Sequence, residues 1–182
     1  RGVLMSTPYK RLGVALALAF ATLPAQAGLA IQSWTTPGGT KVFFVESRAL
    51  PIVDVQVDFR AAGAEAPLGK AGIAGLTRGL LDAGAGALDE DAIANRIADL
   101  GTQIGGGADM DRASLSLRSL SNPAERDAAV ALLATLIQKP TFPAAAVERE
   151  KARSIAGLKE ADTQPDSILA RRFSAALYPG HP

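Results

Sequence analysis

The sequence has no cysteine and a single histidine, His181, close to its C-terminal end. Because no disulfide can form, an apolar core must hold the chain together, and 182 residues are enough to build one. Zinc in proteins is usually bound by cysteine and histidine side chains, so a site made from His181 and carboxylates would be atypical. The composition therefore argues against a zinc centre within this chain.

Basic residues are few once the N-terminal segment is set aside. Lys10 and Arg11 precede an apolar run at 12–21, and Ala25-Gln26-Ala27 follows as an A-x-A site. This order is typical of a secretory signal peptide, and the run is too short for a permanent membrane span. We expect residues 1–27 to be removed after Ala27 and the mature chain to be periplasmic. Its formal net charge then falls from +1 to −2, without a basic run that would indicate nucleic-acid binding.

The pattern of apolar residues predicts the order β-β-β-α-α-β-β-α-α-α in the mature chain. Alternation over 53–59 and 113–118 predicts half-buried strands with one wet face. Because strands and helices are segregated, we expect an α+β fold with an antiparallel-rich sheet and helices packed on one face. No linker divides residues 28–182, so we expect one domain there. The abrupt end at Pro182 suggests that it is the N-terminal part of a longer domain.

The segment 71–81 predicts a helix that carries unusually many glycines. Its apolar residues recur at helical spacing, but Gly72, Gly75 and Gly79 lie between them. Each glycine inside a helix costs about 1 kcal/mol relative to alanine. Two explanations are open: a neighbouring element packs closely against these positions, or functional side chains once projected from this face and have been lost.

Six segments in a fixed order carry a family resemblance. From about residue 29 to 182, the chain resembles the N-terminal part of the pitrilysin/insulinase-type zinc peptidases, the inverzincins that include mitochondrial processing peptidase. The segments are TTPGGTKVFFVES, LPIVDVQVDFRAAGAEAP, GKAGIAGLTRGLLDAG, LGTQIGGGADMDRASLSLRSL, FPAAAVEREKARSIAGLKEADTQPDSILARRF and YPGHP.

The chain departs from this family at its catalytic positions. Active members carry H-x-x-E-H on the first core helix, with two histidine ligands and a glutamate base. The resemblance places Gly75 and Gly79 at the histidines and Arg78 at the glutamate. Glu150 matches a downstream glutamate, and Gly157, seven residues later, stands where the third ligand would be. A guanidinium offers no acceptor and cannot act as a base, so we expect no catalytic residue, metal or cofactor in this chain.

Other positions have structural and functional interpretations. Arg78 could pair with Glu150 if their helices face each other, which we favour over contact with substrate. The resemblance makes the segment Gly105, Gly106, Gly107 and Ala108 an edge strand that pairs with extended peptide substrate. The alternative is a loose, bulged edge with no ligand. His181 is interpreted as structural.

The resemblance implies three functions in decreasing order of preference. The first is a non-catalytic, zinc-free partner subunit that helps a homologous zinc-bearing subunit to enclose and bind peptide. The second is a structural or assembly scaffold of the same fold. The third, an autonomous zinc metallopeptidase, conflicts with Gly75, Arg78, Gly79 and Gly157.

Overall fold

The computed structural model describes residues 30–61, 66 and 69–179. The predicted signal peptide and His181 lie outside the described residues. The chain divides after Ala49 into two compact units, the second of which begins at Leu50. The prediction of a single domain over 28–182 stays a prediction.

The first unit contains an antiparallel hairpin of β1 (Ile31–Thr35) and β2 (Lys41–Val45), with Ser33 opposite Phe43. The connecting turn contains Gly39 at φ +85°, a left-handed conformation that glycine adopts without strain. The predicted order begins with two strands, and both are confirmed.

The second unit is α+β, as predicted. Its strands are β3 (Ile52–Phe59), β4 (Gly84–Ala85), β5 (Leu88–Asp89), β6 (Gln103–Ala108) and β7 (Ala113–Leu120). Its helices are α1 (Ile73–Gly79), α2 (Glu90–Asp99), α3 (Pro123–Gln138), α4 (Ala144–Ala161) and α5 (Pro165–Leu177). None of the described helices is long and apolar enough to cross a membrane.

Strand β7 is the centre of an antiparallel sheet with the order β3-β7-β6. Its side chains alternate: Leu115 and Leu117 are buried, whereas Arg118 is exposed. On the exposed face Arg118 donates two hydrogen bonds to Asp54 of β3, at 2.7 and 3.0 Å. These bonds hold the pKa of the Asp54 carboxyl below its usual value. The sheet therefore has one wet face, and its buried side faces the helices, as predicted.

Helix α3 covers the buried face of the sheet. Ala129 and Leu133 of this helix pack on Leu115 and Leu117 of β7, while Leu136 packs in a second cluster. Burying a large aliphatic side chain contributes about 1.5–3 kcal/mol, so these contacts are the main cohesive element of the unit. The helix begins at Asn122, whose side chain accepts a hydrogen bond from the Ala124 amide.

Strands β4 and β5 form a short hairpin that the sequence did not predict. Two residues per strand are too few to produce an alternating pattern. The hairpin holds the connection between α3 and α4, because the Thr141 amide donates to the Gly84 carbonyl at 2.9 Å. A Cβ at Gly84 would meet the Thr141 hydroxyl and Pro143, so glycine permits this close approach.

Helices α4 and α5 carry exposed apolar side chains. Only Ala146 is buried in α4, and no residue is buried in α5 within the described chain. These exposed side chains, together called the α4–α5 apolar face below, are Ile155 and Leu158 on α4 and Leu169, Phe173 and Leu177 on α5.

Gly106 should be required for the fold. Its φ is +129°, and a Cβ there would overlap the Ser114 carbonyl of β7. Gly106→Ala should therefore lower the free energy of unfolding by about 1–3 kcal/mol, measured by urea denaturation. Gly107→Ala is the matched control, because a Cβ at Gly107 meets nothing within 4 Å. Equal stabilities of the two variants would contradict this interpretation of β6.

Candidate functional site

The three glycines of the predicted 71–81 helix have different surroundings. Helix α1 begins after Gly72, which caps it at φ +85°. Glycine adopts this left-handed backbone conformation without strain, which explains the residue at this position. Gly75 and Gly79 lie within the helix and are exposed, and a Cβ at either would meet nothing within 4 Å. Close packing within the described residues therefore does not explain Gly75 and Gly79, and the loss of functional side chains from this face stays a prediction.

Apolar residues about 100° around the helix axis from Gly75 and Gly79 help to hold helix α1 in place. Leu80 is buried with Ala146 of α4, and Leu76 and Val147 pack against this cluster. The anchoring contacts involve neither Gly75 nor Gly79. The position of α1 is therefore independent of whatever side chains stand at these two positions.

Helix α4 carries the remaining degenerate position. Ala146, Glu150 and Gly157 are spaced by four and seven residues, so they share one face of α4. Gly157 lies about 16 Å along the helix axis from Ala146, the point where α4 meets α1. Gly157 is exposed, and a Cβ there would meet nothing within 4 Å. Like Gly75 and Gly79, Gly157 therefore has space around it for a larger side chain.

Arg78 is half-buried and does not pair with Glu150. Glu150 forms its ion pair with Arg153 instead, at 3.3 Å. The Nε atom of Arg78 is buried and has no hydrogen-bond partner among the described residues. The predicted pairing of Arg78 with Glu150 is therefore wrong, because Arg153 is one helical turn from Glu150 on the same helix.

A cavity of about 510 Å³ lies beside α1 in the second unit. It is bounded by α1, the end of β3, the start of β7 and the segment that follows α3. Arg78 lines it together with an apolar set made up of Phe59, Ile73, Ala74, Leu81, Ile137 and Phe142. The sequence did not predict this cavity, because its wall combines segments that are distant along the chain.

The residues at the degenerate positions do not fit a zinc ion. Glycine provides no side-chain donor atom at 75, 79 or 157, and the Arg78 guanidinium carries a positive charge and has no lone pair to give. No group of three His, Cys, Asp or Glu side chains placed to hold a metal occurs in the described part of the chain. That this chain binds no zinc stays a prediction, and it rests on residue identity.

Strand β6 contains the predicted substrate-binding segment. Within the described residues it pairs with β7 alone, so its other edge is not hydrogen-bonded to a strand. Gly106, Gly107 and Ala108 are exposed, and Gly105 is half-buried. Helix α1 contacts β6, so this edge is adjacent to the helix with the degenerate positions. Peptide binding at this edge stays a prediction.

Solved structures relate the chain to peptidases. The chain is similar to a peptidase M16 inactive domain from Pseudomonas fluorescens, with 38% sequence identity, a TM-score of 0.79, and coverage of 84% of this chain and 37% of that chain. This chain belongs to the pitrilysin-like, M16 peptidase family. The resemblance inferred from the sequence is thereby confirmed. No protein-family model matches the chain, and no curated protein matches it.

More distant members of the comparison share the M16-like fold. The periplasmic protease PqqL from Escherichia coli has 17% identity and a TM-score of 0.70, over 83% of this chain and 17% of that chain. A protease from Helicobacter pylori has 15% identity and a TM-score of 0.69, over 81% of this chain and 35% of that chain. The chain thus spans little more than a third, or less, of each of these three chains.

Replacing the exposed glycines of α1 by alanine should stabilise the protein. Gly75→Ala and Gly79→Ala should each raise the free energy of unfolding by about 0.5–1 kcal/mol, because alanine favours the helix and meets no neighbour. Gly72→Ala is the control and should be destabilising, because its φ is +85°. Thermal and urea unfolding of the three variants measure this. Destabilisation by Gly75→Ala or Gly79→Ala would show that these glycines serve packing after all.

Proposed function

We propose that this chain is a non-catalytic, zinc-free subunit of a periplasmic peptidase that helps to enclose and bind peptide substrate. The proposal rests mainly on helix α1, which is packed in place but lacks zinc ligands and a base at the matching positions. The helix is anchored on α4 by Leu76 and Leu80, yet Gly75, Arg78 and Gly79 stand where two ligands and a base would be. A similar domain from P. fluorescens is named inactive, which supports the same interpretation.

Hydrolysis of a peptide bond by this family's chemistry needs a metal to activate water and a base to take its proton. Gly75 and Gly79 cannot hold the metal, and Arg78 cannot accept the proton because it is always protonated near neutral pH. An autonomous metallopeptidase is therefore disfavoured. The zinc and the base belong to a homologous partner subunit in this proposal.

The contribution of this chain is then binding. An extended peptide could add a strand to the unpaired edge of β6, where Gly105, Gly106, Gly107 and Ala108 leave the backbone accessible. Backbone pairing of this kind tolerates varied side chains, as a peptide-degrading assembly requires. The adjacency of β6 and α1 would keep the peptide next to the former catalytic helix.

The proposed location and partner rest on separate observations. The N-terminal segment 1–27 has the sequence of a signal peptide, and the structurally similar PqqL is described as periplasmic. A second zinc-free family member would add no catalyst, so the partner we propose is an exported homologue with an intact H-x-x-E-H.

A structural or assembly role is the alternative, and the α4–α5 apolar face favours it. Leu158, Leu169 and Phe173 are each more than 60% exposed. Exposed apolar patches of this kind mark surfaces that another protein covers. A scaffold would use this face and leave the edge of β6 unused.

Mixing experiments distinguish these roles. The mature chain alone should leave an unfolded, fluorogenic peptide intact, while adding it to the zinc-bearing partner should raise kcat/KM for that peptide severalfold. The reason is that peptide captured at β6 is held in place for the partner's active site. A chelator should abolish the activity of the mixture.

The control in this experiment is the partner alone at the same zinc occupancy. If the partner alone degrades the peptide as fast as the mixture, the proposed subunit role is wrong. A chain that binds no unfolded peptide but joins a larger complex would support the scaffold instead.

A further inference from the structure

The cavity beside α1 has the features of a binding site that the proposed function does not use. Its volume of about 510 Å³ is within the range of small-molecule sites. It opens on the side of α1 that carries Ala74, Arg78 and Leu81, whereas Gly75 and Gly79 are not part of its lining. The inference from this cavity is therefore independent of the subunit role.

Arg78 is the polar centre of the cavity. Its Nε atom is buried without a hydrogen-bond partner among the described residues, although a buried N–H of a charged group is normally paired. Leaving such a donor unpaired is costly, so a ligand that accepts its hydrogen bond would gain binding free energy.

The charge of the cavity selects an anion. Arg78 lines it, and its guanidinium adds a positive charge to the wall. Thr77 and Ser114 also line the cavity, and the Ser114 hydroxyl donates a hydrogen bond to the Gly107 carbonyl at 3.5 Å. An anionic group at this wall would therefore meet the positive charge of Arg78.

The rest of the wall is apolar. Phe59, Ile137 and Phe142 come from three different segments and, with Ile73 and Leu81, present aromatic and aliphatic surface. A small inorganic anion would leave this surface in contact with water. A carboxylate matches the guanidinium of one arginine, and as a monoanion it is less costly to desolvate than phosphate.

We propose that this cavity binds a monocarboxylate carried on an apolar body, with the carboxylate at Arg78 and the body against Phe59, Ile137 and Phe142. Two sources supply this chemistry: a medium-chain fatty acid, and the C-terminus of a peptide that ends in a large apolar residue. Both are small enough to enter a half-open cavity of this volume.

Calorimetric titration of the mature chain tests the proposal with two pairs of probes. Octanoate is compared with octanamide, and N-acetyl-Phe-Leu with its C-terminal amide. Each carboxylate should bind at least tenfold more tightly than its amide, because only the carboxylate forms a charge-assisted hydrogen bond with Arg78. The tighter of the two carboxylates identifies the source.

Variants assign the effect to Arg78. Arg78→Met should weaken carboxylate binding about tenfold or more and leave amide binding unchanged, whereas Arg78→Lys should restore part of the preference. Arg96→Met is the matched control, because Arg96 is on α2 and does not line this cavity. It should bind the carboxylates as the natural chain does.

Chemical-shift changes in the natural chain test the proposal without any variant. If Arg78→Met does not fold, amide resonances of Ala74, Leu81 and Ile137 in the natural chain should shift with the carboxylates and not with the amides. Equal binding of carboxylate and amide, no binding at millimolar concentration, or shifts elsewhere on the protein would each overturn the proposal.

Discussion

The packing of α3 on strand β7 is the interaction on which the second unit depends. Strand β7 is hydrogen-bonded on both sides, to β3 and β6, so these two strands hold its backbone in position. Its inward residues Leu115 and Leu117 are covered by Ala129 and Leu133 of α3. The same sheet leaves β6 as an unpaired edge in the described chain, and α1 contacts both β6 and β7. The degenerate positions Gly75, Arg78, Gly79 and Gly157 are thus placed by a core that contains none of them.

This separation explains how the fold can keep a helix whose catalytic residues are absent. Helix α1 is attached through Leu76 and Leu80, and neither Gly75 nor Gly79 takes part in this apolar cluster. Losing a ligand from the exposed side removes no packing contact, because a Cβ there meets nothing. The cost is a weaker helix, since each glycine disfavours it by about 1 kcal/mol. Arg78 differs from the glycines, because it is half-buried and lines a cavity.

The sequence predicted those parts of the fold that depend on local patterns. The alternation at 53–59 and at 113–118 appears as strands β3 and β7. The hairpin of β4 and β5 was not predicted, because strands of two residues are too short to show an alternation of apolar and polar residues. The glycine positions followed from the family resemblance, but their empty surroundings required coordinates. The pairing predicted for Arg78 was wrong because it assumed a contact between helices where Glu150 has a closer partner, Arg153.

Zinc binding by the purified mature chain is the most direct test of the account. Calorimetric titration with zinc should show no stoichiometric binding, because Gly75, Arg78, Gly79 and Gly157 provide no ligand atom. The variant that combines Gly75→His, Arg78→Glu, Gly79→His and Gly157→Glu should take up zinc, because it restores the two histidines at i and i+4 on α1 and the third ligand. Stoichiometric zinc bound by the natural chain would contradict the account.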